Sequence, residues 1–154
     1  MNNRYIRLTR VSVRRLNLRN VHTVAGLLMG LMFLVSGFYL RFRIVSDPGV
    51  SVAQHMMYRA NHIYLLFACL ANLLLIPYFI HHTTHWGNRL KIAGSFLLLL
   101  SSVILLFAFI HEPVQNTLKR PLSAWGIIIL FASVLLMIIN FYWEKFKPTE
   151  KNAG

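Results

Sequence analysis

Seven histidines and very few acids carry whatever chemistry this chain has, and their spacing is uneven. Arg59 and His62 stand just before one long uncharged stretch, while His111 and Glu112 close another. If those stretches are neighbouring helices of opposite direction, Arg59, His62, His111 and Glu112 gather at one end of the molecule, with Arg41 within reach. That cluster is the candidate site. Its plainer alternative is an Arg59 to Glu112 ion pair at a membrane interface, with both histidines wet at helix ends.

Two neutral imidazoles on facing helices can hold haem b. His62 with His111 at one end, and His22 with His81 or His82 at the other, would make a transmembrane electron path, although ligands of such cytochromes usually sit deeper within their spans. A second metal reading comes from His81-His82-Thr83-Thr84-His85, where His81 and His85 lie one helical turn apart and could share a Zn or Cu ion. No nearby carboxylate or thiolate completes that shell.

Other chemistries find little support. The only acids are Asp47, Glu112, Glu144 and Glu150, which offer no carboxylate pair for acid and base work. Ser101 and Ser102 have no histidine at similar depth, and the sequence contains neither a phosphate-cradling glycine loop nor a dinucleotide fingerprint. Cys69 is the single cysteine, so a disulfide within the chain is impossible and the residue reads as a small packing group.

The elements that position these residues are set by hydropathy. Of 154 residues 56% are apolar or aromatic and only 13% are charged, and mean hydropathy is +0.56. Crossing a hydrocarbon core of roughly 30 Å takes about 20 helical residues. Four uncharged stretches qualify, at 21–40, 63–80, 92–110 and 122–143. Short connections between them predict an all-α, polytopic membrane protein: an antiparallel bundle of four transmembrane helices over 21–143, with a basic arm at 1–20 and a short tail at 144–154.

The net charge of +12 would suggest nucleic acid in a soluble chain. Here the positives flank apolar blocks, where anionic lipid headgroups attract them, and no basic platform with interleaved aromatics exists for nucleic acid. Most of the Lys and Arg fall in the arm, around Arg89 and Lys91, and in the tail. Arg41, Arg43, Arg59, Lys119 and Arg120 fall on the other side, so the positive-inside rule puts both termini in the cytoplasm of a bacterial inner membrane. The first apolar block is too long for a signal peptide and ends in Tyr39-Leu40-Arg41-Phe42-Arg43 rather than a small-residue cleavage site.

Gly26-x-x-x-Gly30 and Gly37 mark a contact face on the first span, and Pro77 predicts a kink near the end of the second. The arm has no clean helical or strand period. It reads as a segment lying on the inner leaflet or docking a partner.

Met57-Tyr58-Arg59-Ala60-Asn61-His62-Ile63-Tyr64, followed by Asn72, and His111-Glu112-Pro113, followed by Arg120-Pro121-Leu122-Ser123, resemble recurrent features of small uncharacterised four-helix bacterial inner-membrane proteins. That resemblance spans the second to fourth helices and implies no particular activity. Arg59-Ala60-Asn61-His62 is also similar to the Arg-Ala-x-x-Asn segment of the microsomal glutathione transferase superfamily, whose four-span members have about this length. The chain departs from that pattern: the glutamate of the second span and the tyrosine and arginine signature of the third are missing. The reading that results is an accessory or interaction module, alone as a homo-oligomer or with a membrane-protein partner. A haem-b electron carrier, or a transferase of the microsomal type, is the alternative.

Overall fold

The computed structural model describes residues 17–78, 85–115 and 119–146, and within them the chain is four long helices with no strand. Helix α1 runs Leu18–Tyr39 and continues into a π-helical turn, Leu40–Ile44, closed by the Val45 N–H donating to Leu40 O at 3.0 Å. Helix α2 spans Val52–Leu74, α3 His85–His111 and α4 Pro121–Lys145. Single 3-10 turns at Ile76–Tyr78 and Pro113–Gln115 follow α2 and α3. The basic arm, His81, His82 and the end of the tail lie outside the described residues.

Each of the four segments is long and apolar enough to cross a membrane. The distribution of side chains suits a hydrocarbon solvent, being the reverse of a water-soluble bundle. Phe38, Phe42, Trp125, Phe131 and Trp143 are exposed, whereas His22, Asn61, Asn72, Ser101, Ser133 and Glu112 are buried. Helices in lipid have no hydrophobic reason to associate, and what holds such helices together is close backbone approach and internal hydrogen bonds.

Both devices are visible. Helices α3 and α4 form the most extensive pair, α1 and α2 the next, and α2 against α3 joins them, while α1 and α4 make no contact among the described residues. Gly126 lets α4 sit on α3 so closely that a methyl there would come within 2.6 Å of Leu105 Cδ2, and Ser133 donates to Gly94 O at 2.8 Å on the same seam. Across the other seam Gly26 faces Leu73, Gly30 faces Cys69 and Gly37 faces His62. Leu65, Ala68, Leu98, Leu105 and Ala108 fill the centre with no exposed surface.

Two helix boundaries differ from the hydropathy reading for local reasons. Helix α2 begins eleven residues before the uncharged stretch because Ser51 and Gln54 form a reciprocal capping box: Gln54 N–H donates to Ser51 Oγ and Ser51 N–H to Gln54 Oε1. Arg59 and His62 are therefore inside a helix, and the connection before it shrinks to a short turn. At the far end Pro77 lies in the 3-10 turn after α2, since proline lacks the N–H that would continue the helix.

Candidate functional site

Glu112 anchors the first polar centre. Helix α4 starts at Pro121 after Arg120, which supplies no side-chain cap, so the first amides of α4 need an acceptor from elsewhere. Glu112, one residue past the end of α3, provides it. Its Oε1 accepts the Ser123 N–H at 2.9 Å and its Oε2 accepts the Ser123 hydroxyl at 2.7 Å and an Asn61 amide proton at 3.4 Å. A carboxylate also suits the positive end of a helix dipole.

Arg120 completes the arrangement. Its Nε lies 3.8 Å from Glu112 Oε2, an Nη2 proton goes to Asn61 Oδ1, and the guanidinium stands 5.6 Å from the centre of the Tyr64 ring. Asn61 in turn donates to Ala108 O at 2.9 Å. Gln54 adds a bond to Pro113 O at 3.2 Å, tying the start of α2 to the turn after α3. The result is a joint of three helices in which the buried acid, 1% exposed, has partners on both oxygens.

His22 organises the second centre, near the start of α1. Asn72 donates its two amide protons to Ala68 O at 2.8 Å and Ser102 Oγ at 2.9 Å, so its Oδ1 faces the His22 Nδ1 at 2.7 Å and can only accept. Nδ1 therefore carries the ring proton. In the neutral ring Nε2 then accepts from the Ser95 hydroxyl at 2.6 Å. Both nitrogens are engaged, and ligation of haem iron by His22 would break one of these buried bonds.

His62 faces α1 rather than α3. The Ser36 hydroxyl donates to Phe33 O at 2.9 Å, which leaves it to accept the Nδ1 proton of His62 at 2.7 Å. The ring is stacked on Phe33 with centroids 4.2 Å apart. A shallow apolar groove of about 380 Å³ beside it is lined by Phe33, Leu34, Gly37, Phe38, Arg41, Phe42 and His62. Arg41 and His62 thus border one groove.

The remaining members of the expected cluster are placed apart. Arg59 is exposed and makes no contact with Glu112 among the described residues; the arginine at the glutamate is Arg120. His111 is exposed and stacks on Phe107, so His62 and His111 belong to different surroundings. His85 is exposed at the start of α3, while its expected metal partner His81 lies outside the described residues. No group of three or more His, Cys, Asp or Glu suited to a metal ion occurs among the described residues.

No family model, curated protein or solved structure matches the chain. Asn61, Arg120 and Ser123 are the residues that sequence reasoning left without a role. A signal for them existed: a helix opening on Arg-Pro lacks its own cap, and a glutamate a short loop away is a natural substitute.

Proposed function

We propose that this chain is an integral protein of the bacterial inner membrane, an antiparallel four-helix bundle with both termini in the cytoplasm, acting as a non-catalytic accessory or interaction module of a membrane complex. The observation that carries this reading is Glu112. The one buried acid among the described residues has both oxygens engaged, with Ser123, Asn61 and Arg120, which suits a structural role in joining helices. The antiparallel arrangement is supported by residue pairs that run in opposite order along neighbouring helices, such as Gly26 with Leu73 and Gly37 with His62, or Gly94 with Met137 and Gly126 with Leu105. The excess of Lys and Arg on the arm side supports the orientation. Partner binding is supported by the lack of contact between α1 and α4 among the described residues, which leaves two separate helix edges facing outward.

Photo-crosslinkers placed in native membranes at Leu27 on the α1 edge and at Ile128 on α4, both exposed, test the reading. A discrete protein adduct, with a second copy or another chain, is expected from at least one edge. Lipid adducts alone from both edges would overturn it. A Soret band of stoichiometric intensity would instead establish the haem reading, and glutathione-dependent thermal stabilisation the transferase reading.

A further inference from the structure

Two open clefts of opposite character share Tyr39 in their walls. The first, of about 420 Å³, lies between the end of α1, the start of α2 and the end of α3, and its wall is almost wholly carbon, from Met32, Leu65, Leu106 and Phe109 among others. It exists because α1 and α3 touch little: the His22 to Ser95 bond joins them near the start of α1, and at the other end of α1 the buried Tyr58 stands between them. The Tyr58 ring is edge-on to Tyr39 at 5.9 Å and to Phe109 at 5.7 Å, a post that holds the two helices apart. The second cleft, also about 420 Å³, lies over the π-helical turn and is lined by Tyr39, Arg43, Ser46, Asp47 and Pro48 with others. Its wall is mainly polar. It contains one cation and one anion.

Those two charges are not spent on each other. Arg43 has no hydrogen bond or ion pair among the described residues, and Asp47 uses only Oδ1, which accepts the Gly49 N–H at 2.8 Å and fixes the orientation of its carboxylate. An apolar cleft and a cleft bearing both signs of charge, side by side on either side of Tyr39, match an amphiphile whose head carries both signs. We propose that the two clefts form one site for a single zwitterionic phospholipid of the phosphoethanolamine class. An acyl chain occupies the apolar cleft, the phosphate meets the Arg43 guanidinium and the ammonium meets the Asp47 carboxylate. An anionic lipid without an ammonium leaves Asp47 facing like charge, and this discriminates between the classes. The proposal needs the helices to be in a membrane and is otherwise independent of whether the bundle has a protein partner.

Native mass spectrometry of the full chain in mild detergent, titrated with dioleoyl phosphatidylethanolamine, dioleoyl phosphatidylglycerol and soluble glycerophosphoethanolamine, tests it. One phosphatidylethanolamine is expected to be retained about tenfold more tightly than phosphatidylglycerol, with no binding of the soluble head. Arg43→Gln is expected to lower retention of both lipids, and Asp47→Asn to erase the preference between them; both positions are exposed, so these variants should fold. Leu106→Trp, which fills the apolar cleft, is expected to release the lipid. Equal retention of the two lipids by the parent chain would overturn the proposal, as would unchanged retention in Arg43→Gln. Binding of the soluble head alone would mean a headgroup site without the apolar half, and would overturn it too. A chain that stays in solution without detergent would refute membrane insertion itself, an outcome distinct from failure of lipid selectivity.

Discussion

Glu112 Oε1 accepts the backbone N–H of Ser123 at 2.9 Å, so the first turn of α4 is capped by a carboxylate that belongs to the end of α3. The same carboxylate neutralises Arg120 and binds Asn61 of α2. One side chain thereby fixes where three helices meet.

Removing it should be costly. Glu112→Ala is expected to destabilise the bundle by about 3 kcal/mol, the low end for breaking a buried ion pair because the Arg120 side chain keeps 28% of its surface exposed. Glu112→Gln should cost less, since an amide oxygen still accepts from Ser123. Unfolding in mixed detergent micelles measures both, and a loss no larger for alanine than for glutamine would remove the cap from the account.

The His22 and Asn72 pair should show measurable coupling. Buried hydrogen bonds between membrane helices average about 0.6 kcal/mol and reach about 1.7. A double-mutant cycle with His22→Ala and Asn72→Ala is expected to give a value in the upper half of that range, because the bond is 2.7 Å long and both residues are fully buried. Additive effects would mean that the two residues act separately.

Close approach of α3 and α4 predicts strong intolerance at Gly126. Gly126→Leu should cost about 1 to 3 kcal/mol through overpacking against Leu105 and Ile104. Thermal scans in detergent would read the loss, and an unchanged midpoint would show that the seam can open without cost.

Arg59 and His111 make the opposite case. Both are exposed and outside the Glu112 joint, so Arg59→Ala and His111→Ala should each change stability by no more than about 0.5 kcal/mol. A larger loss in the same micelle assay would restore them to the site.

Orientation can be read by labelling. With Cys69→Ala as background, Asn3→Cys and Asn152→Cys are expected to resist an impermeant thiol reagent added to intact cells and to react after lysis. Labelling of either from outside would reverse the assigned topology.

The glycine face of α1 and the four apolar segments were readable from the chain alone, because the length of an uncharged run and the recurrence of small residues need no partner to be recognised. The early start of α2 was within reach too. Ser51 and Gln54 carry the capping box, but a hydropathy window passes over it because Arg59 and His62 lie in the same turns.

Which polar groups meet was decided only by the tertiary structure. Arg59 and Arg120 are equally plausible partners for Glu112 in sequence, and a rotation of α2 by one residue, about 100°, decides between them. Packing fixes that rotation by turning Asn61, Leu65, Ala68 and Asn72 inward, which sends Arg59 to the surface and His62 toward Ser36. Hydropathy measures how far along the membrane normal a residue lies and carries almost nothing about the angle at which it faces its neighbours. The sequence by itself therefore determined four membrane-length helices, and the interlocking of those helices determined that Glu112 joins α2, α3 and α4 through Asn61, Arg120 and Ser123.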